Sequence, residues 1–379
     1  MSGPSLRERL WASVSAGRLR TRDYLSEEQH FILVAVVIGL LAGLSVVCFR
    51  IAIEWSRLIL LGSGLRPSWP RVVVVPTLSG LVAAFLVLRL FPRARGSGVN
   101  QTKAALYIYD GYIPFSTVVG KFLTSALAIG GGHSLGPEDP SLQIGAGLAS
   151  ALGRRLQLTR ERVRLIAPVG AAAGLAAAFN TPIAAVIFVI EEVIGRWSAG
   201  ILGAVILAAV SSVVVERWFL GAEPLFRVPA YSLQHPAELL AYAALGVIGG
   251  IFSLAFVKYL SRLRGRLEAL PPWTRYLQPA GAGLAIGILG LAFPQVMGAG
   301  YEHIDLAMHQ RYTWGVLAVL AALKLLSTGL SFSSGTPGGL FAPTLFMGAM
   351  LGAAVGDLGR SLFHPLPVAV GAYALVGMG

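Results

Sequence analysis

The stretch GGHSLGPEDPSLQIGAG at residues 131–147 is the feature that most constrains the fold of this chain. Two adjacent acids, Glu138 and Asp139, are followed by Pro140, which opens an apolar run rich in small residues. Proline suits the first turn of a helix, and the free N–H groups of a helix start bind anions. In an apolar chain, a broken helix with carboxylates is costly unless it lines a solute path. The stretch therefore predicts a solute site at a helix start.

The composition around this stretch is that of a membrane protein. Of 379 residues, 55% are hydrophobic and 13% are charged, against about 25% charged in a typical soluble domain. This excludes a soluble enzyme and predicts one all-α, polytopic membrane domain, with no role for nucleic acid. Five arginines precede the first apolar run, namely Arg7, Arg9, Arg18, Arg20 and Arg22. They predict that residues 1–29 form a basic cytoplasmic segment of a protein of the inner or plasma membrane.

The chain repeats itself. Residues 121–153 align without a gap to residues 324–356, and twelve of the 33 positions are identical, so the offset is 203. Upstream, GSGV at 96–99 matches GAGY at 298–301 with an offset of 202. Repeats with broken helices in matching positions are typical of transporters whose solute site lies near the membrane midplane. The sequence leaves open whether the repeats are parallel or inverted.

The two repeats differ in length. The first is predicted to cover about residues 30–215 and the second about 235–379. Repeat one continues well beyond the position that corresponds to Gly379, which lies inside an apolar segment. We therefore expect the second repeat to be truncated at its C-terminal end.

Four motifs in this order resemble the CLC family of chloride channels and proton/chloride antiporters. They are GSGV at 96–99, GPEDP at 136–140, GAAAGLAAAFNTPIAAVIFVIEE at 170–192 and GGLFAP at 338–343. The resemblance covers roughly residues 30–379. It implies an all-helical homodimer in which each subunit carries its own chloride path between two inverted repeats. It also implies that half-helix starts converge on the anion and that the missing tail supplies a tyrosine to the anion site.

The resemblance implies a set of anion-binding residues in two motifs, namely Gly96, Ser97, Gly98, Leu340 and Phe341. The Ser97 hydroxyl can donate a hydrogen bond to an anion beside free backbone N–H groups. In the family, a serine at this position accompanies chloride preference and a proline accompanies nitrate preference. This chain departs at Asn100, where the family usually has proline.

By the same resemblance, Glu138 is the gating and proton-carrying glutamate. A helix start stabilises either its carboxylate or chloride, so the two exchange. The family usually has Arg and Gly where this chain has Pro137 and Asp139. Asp139 is either a modifier of the site or a plain N-cap before Pro140. Two adjacent carboxylates disfavour double ionisation, which leaves the pH dependence open.

A second proton site is implied at Glu192, which matches the inner proton-transfer glutamate of the exchangers. The alternative is an acid at the membrane interface that pairs with Arg196, and Glu191 is interpreted as structural. His133 lies near the gate but is interpreted as a hydrogen-bonding loop residue. No His/Cys cluster suggests a metal, and no phosphate-binding loop suggests a nucleotide.

These features together predict a proton-coupled chloride antiporter, whose partners are chloride, protons and the bilayer. A passive, voltage- or pH-gated chloride channel of the same fold is the first alternative. An intramembrane enzyme with Glu138 and Asp139 as an acid pair is the second, and it would need a nucleophile or metal. A fragment that does not transport is the third.

Overall fold

The protein is helical throughout the part of the chain that the structure, a computed structural model, describes. Those residues are 27–62, 68–195, 199–228, 231, 236, 238–362 and 369–379. The first-repeat helices are α1 Glu27–Leu60, α2 Trp69–Arg89, α3 Gly98–Tyr107, α4 Phe115–Gly130, α5 Glu138–Arg155, α6 Arg160–Phe179, α7 Pro182–Phe188 and α8 Ala199–Leu220. The second-repeat helices are α9 Glu238–Glu268, α10 Gln278–Ala292, α11 Tyr301–Met308, α12 Trp314–Ser333, α13 Phe341–Leu362 and α14 Val370–Met378.

Within the described ranges, seven of these helices are long and apolar enough to cross a membrane. They are α1, α2, α6, α8, α9, α12 and α13. In α9, only 11% of the most apolar window is buried inside the protein, so its outward side chains suit a lipid environment. The N-terminal arginines and Arg196 lie outside the described residues, as does position 235, where the second repeat is predicted to begin.

Helix breaks follow the local sequence. Helix α7 begins at Pro182, and α6 ends at Phe179 with Asn180 as its C-cap, whose φ of 56° is left-handed. Asparagine tolerates that conformation better than most residues and is a common helix terminator. The expectation that Pro140 opens a helix needs a small correction, because α5 begins two residues earlier, at Glu138, after Pro137.

Small residues draw α5 and α6 together. A Cβ on Gly145 would collide with the carbonyl oxygen of Gly170, and one on Gly174 would collide with that of Ser141. Most of the alanines of α6 are fully buried. Backbones that approach this closely are typical of helix packing in membranes. The packing holds the start of α5 in the protein interior.

The repeats are related by a local two-fold axis. Gly136 donates its N–H to the carbonyl of Gly339 at 2.9 Å, and Gly339 donates back to Gly136 at 2.8 Å. The pairing is antiparallel, and the two glycines are equivalent at the offset of 203. Residues that exchange hydrogen bonds with their own equivalents must lie on a two-fold axis. The repeats are therefore related by a two-fold rotation, which is the relation between inverted repeats when the axis lies in the membrane plane.

A pair of buried lysines repeats the same symmetry. Lys121 of α4 donates to the carbonyls of Ala94, at 3.2 Å, and of Gly96. Lys324 of α12 donates to the equivalent carbonyls, Val296 at 3.1 Å and Gly298 at 2.7 Å. Each amine satisfies the irregular backbone before a short helix, α3 in one repeat and α11 in the other.

Candidate functional site

Three helix starts meet at one cavity. The starts of α3, α5 and α13 enclose a volume of about 160 Å³. Its lining residues are Ser97, Val99, Glu138, Asp139, Leu142, Leu175, Phe188, Phe332, Leu340 and Phe341. The structure thus brings together four of the residues predicted for the gate and the anion site, namely Ser97, Glu138, Leu340 and Phe341. Asp139, which the sequence offered as a modifier of the site, lies with them.

Glu138 is buried at the start of α5, with 2% of its surface exposed. Its Oε1 accepts the N–H of Ala342, at the start of α13, at 2.9 Å. Its Oε2 is buried and has no hydrogen-bond partner among the described residues. A Cβ on Gly136 or Gly339 would collide with this carboxylate. Because Gly136 and Gly339 have no side chains, the Glu138 carboxylate of the first repeat has room to reach α13 of the second repeat.

The donor at this contact differs from the one that the sequence predicted. The N–H that binds Glu138 Oε1 belongs to Ala342, the residue after the predicted pair Leu340 and Phe341. The backbone N–H of Phe341 also interacts with this carboxylate, and both predicted residues line the cavity. The Phe341 ring packs on Phe179, with ring centres 5.1 Å apart, and so closes one side of the site.

Ser97 is the N-cap of α3. Its Oγ accepts the N–H of Asn100 at 3.4 Å and lies 3.4 Å from Oδ1 of Asp139, to which it donates. The departure from the family at Asn100 therefore has a structural effect, because a proline has no N–H to donate to the cap. Gly96 and Gly98 flank the serine, and a Cβ on Gly98 would collide with the backbone oxygen of Asp139. Close approach of α3 to α5 places the serine at the cavity.

Asp139 caps a helix other than its own. Its Oδ1 accepts the N–H of Val99, in the first turn of α3, at 2.6 Å, and 7% of the residue is exposed. The interpretation of Asp139 as a plain N-cap before Pro140 is wrong, because α5 already begins at Glu138 and its N-cap is Pro137. Local sequence rules could not find this contact, which joins residues 40 positions apart.

Glu192 lies apart from the cavity. It belongs to the π-helical segment Val189–Ile194 that continues α7, and 49% of its side chain is exposed. Lys103 of α3 contacts Glu192, with Nζ 2.8 Å from Oε1. Arg196, the partner considered from the sequence, lies outside the described residues. Lys103 is a neighbour that sequence reasoning missed, although it belongs to the helix that Ser97 caps.

Two further buried groups lie outside the cavity lining. His133 lies with Nε2 3.0 Å from the Pro76 carbonyl oxygen and Nδ1 3.4 Å from Ser331 Oγ, so its contacts are those of a loop residue. Lys121 anchors the carbonyl of Gly96, directly before Ser97. Its identity with Lys324 across the repeat was the signal in the sequence that could have marked it. Among the described residues, no group of three or more His, Cys, Asp or Glu could hold a metal ion.

Comparisons with known proteins agree with this geometry. A profile of the family described as "Voltage gated chloride channel" matches residues 79–379. The H(+)/Cl(-) exchange transporter ClcA of Salmonella paratyphi B is 32% identical over 384 residues, covering 96% of this chain and 80% of the relative. The ClcA of Salmonella arizonae is 32% identical, covering 92% of this chain and 76% of the relative.

Solved structures show the same fold. A slow cyanobacterial Cl-/H+ antiporter superposes with a TM-score of 0.83 at 25% identity, covering 93% of this chain and 85% of the other. A CLC-type fluoride/proton antiporter superposes with a TM-score of 0.77 at 24% identity, covering 93% and 86%. With its inverted repeats, its converging helix starts and these matches, the chain is a multi-pass membrane protein that belongs to the voltage-gated chloride channel family, the CLC family.

Proposed function

We propose that this protein exchanges chloride for protons across a membrane, with Glu138 as gate and proton carrier. The observation that carries the proposal is the buried Glu138 carboxylate, bound to the start of α13 in a cavity that also contains Ser97. Relatives that are named or described as proton/chloride exchangers support it. They also support a transporter rather than an enzyme.

The helix start at α13 favours one negative charge. An ionised Glu138 is that charge, because its Oε1 accepts the N–H of Ala342. Protonation removes the charge, so the side chain leaves and a chloride ion takes its place. When Glu138 returns and releases its proton, chloride is displaced. One position that holds either the carboxylate or chloride thus couples the two movements.

The proposed roles divide the site into three groups. The anion-binding residues are Gly96, Ser97, Gly98, Leu340 and Phe341, to which Ala342 is now added. The gate is Glu138. The proton-transfer residues are Glu138 and Glu192.

We place the molecule in the membrane as follows. Residues 1–29 are cytoplasmic, and residues 30–379 are the transmembrane domain, with the first repeat at about 30–215 and the second at about 235–379. The membrane is the bacterial inner membrane, where lipid contacts the outer face of α9. The protein works as a homodimer with one anion path in each subunit.

A passive chloride channel of the same fold is the second candidate, and one contact favours it. Lys103 pairs with Glu192, with Nζ 2.8 Å from Oε1. This ion pair gives Glu192 a structural role that requires no proton transfer. The channel would keep Glu138 as a gate and move no protons against a chloride gradient.

The test is coupled transport in liposomes. Purified protein is reconstituted with a chloride gradient, and chloride efflux and proton movement are recorded together. We expect wild-type protein to drive protons uphill. The Glu138→Ala variant should lose proton movement to the level of protein-free liposomes and keep chloride efflux.

The matched control is Glu161→Ala, because Glu161 is also a glutamate in a first helical turn but is exposed. It should behave as wild type. Wild-type chloride efflux without proton movement would favour the channel. Proton movement that survives in Glu138→Ala would remove Glu138 as the carrier.

A further inference from the structure

Two neighbouring carboxylates bind two different helix starts. Glu138 accepts the N–H of Ala342 on α13, and Asp139 accepts the N–H of Val99 on α3 at 2.6 Å. Both residues line the same cavity. The Val99 N–H, a donor that could hold an anion beside Ser97, is therefore already used by a side chain of this protein.

The surroundings of Asp139 suit a bound anion. Helix α3 contributes the Val99 N–H and the Ser97 hydroxyl, which donates to Oδ1 at 3.4 Å. Helix α4 contributes the buried ammonium group of Lys121, which attracts Asp139, and α5 contributes Glu138, which repels it. A chloride at the start of α3 would meet the same two donors and the same lysine.

The cavity also contains an unused acceptor. Glu138 Oε2 is buried and has no partner among the described residues. If chloride bound beside Ser97 while both carboxylates were ionised, the cavity would contain three negative charges. Their mutual repulsion would disfavour this state.

We propose that Asp139 is a second tethered carboxylate, which occupies the anion position beside Ser97 and competes with chloride there. It sets the chloride affinity of the site. The proposal rests on the proposed function, because it takes Ser97 to lie on the chloride path. Chloride binds beside Ser97 when Asp139 is protonated or has moved away from Val99.

The test measures chloride binding by titration calorimetry on detergent-purified protein, with sodium chloride as the titrant. Asp139→Gly removes the competitor, and Asp139→Asn removes its charge while keeping its shape and its acceptor oxygen. We expect Asp139→Gly to bind chloride about tenfold more tightly or better, as a hydrogen bond to a charged group warrants, with Asp139→Asn between it and wild type. Because asparagine retains the contact with Val99, that variant keeps the test valid if glycine destabilises α3.

A pH series separates competition from a purely structural role. In a Glu138→Ala background, chloride affinity should still rise as the pH falls, because Asp139 is then neutralised. In the double variant Glu138→Ala/Asp139→Asn, this pH dependence should be lost. Glu161→Gln removes one negative charge at an exposed position. It should leave the chloride affinity and its pH dependence at wild-type values.

The outcomes are distinct. If wild-type protein transports chloride but neither Asp139 variant binds chloride more tightly, the proposed role of Asp139 is wrong and the proposed function is unaffected. Wild-type protein that moves no chloride in liposomes would instead overturn the proposed function, on which this inference depends.

Discussion

Glu138 and Asp139 are adjacent in the chain, yet their carboxylates reach opposite sides of one cavity. Successive residues on a helix are about 100° apart, so two acids in the first turn of α5 diverge. One reaches α13 in the second repeat, and the other reaches α3 in the first. A single turn of helix therefore supplies a carboxylate to each of the two proposed anion positions, and each substitution there should affect one of them.

Ser97→Pro should shift the preference from chloride toward nitrate. The backbone accepts the change, because Ser97 has φ of −71° and proline requires about −65°. The hydroxyl and one N–H are lost, and hydrogen bonds to a charged group contribute about 1.5–3 kcal/mol each. The measurement is the ratio of chloride to nitrate flux in liposomes, which should change about tenfold or more. A ratio equal to that of wild type would mean that Ser97 does not contact the anion.

Glu192→Gln should leave chloride movement intact and reduce proton movement to background. The carboxylate is half exposed and lies away from the cavity, so its removal should not alter the anion site. Glu191→Gln is the matched control, because Glu191 is the exposed neighbouring acid. Both are measured by simultaneous chloride and proton recording. If proton coupling survives in Glu192→Gln, Glu192 is an acid at the membrane interface that pairs with Lys103 and carries no protons.

At the scale of the elements, the site depends on how closely helices approach. The start of α5 enters the interior because Gly145 and Gly174 leave no side chain between α5 and α6. The irregular backbone before α3 is held by the buried lysine Lys121. A buried amine is costly unless it is hydrogen-bonded, so the loop and the lysine stabilise each other.

Gly145→Ala should destabilise the protein by about 1–3 kcal/mol, the usual cost of overpacking a core. The added methyl group would meet the carbonyl of Gly170. Gly203→Ala on α8 is the control, because nothing lies within 4 Å of a Cβ there. It should be neutral or slightly stabilising, since alanine favours a helix more than glycine does. Thermal unfolding in detergent measures both, and equal midpoints would show that α5 and α6 can separate at no cost.

The family, the repeat and most of the site residues could be predicted from the order of motifs, but two contacts could not. The N–H of Ala342 meets a residue 204 positions away, and that of Val99 meets one 40 positions away. Periodicity and capping rules describe neighbours in the chain, so they assigned Asp139 to its own helix. The partner of Glu192 was missed for the same reason, because Lys103 is 89 positions away.

At the scale of the whole molecule, the proposed gate is a contact between the two repeats. The carboxylate of Glu138 comes from the first repeat, and the N–H that binds it comes from the second. Gly136 and Gly339 pair beside it on the symmetry axis. In the proposed exchange, movement of Glu138 removes a bond between the two halves of the protein, and a chloride ion bound in its place restores one.

The reciprocal glycine pair marks an axis across which the two halves of the protein differ in sequence. In a symmetric assembly of two identical half-length chains, every substitution appears on both sides of the axis. Once both halves belong to one chain, each side changes alone: the glycines are the same at 136 and 339, whereas Glu138 corresponds to Phe341. An acid on one side and a phenyl ring on the other make the two ends of the path unequal. Because the two halves belong to one polypeptide, the proposed pathway can have two unequal ends.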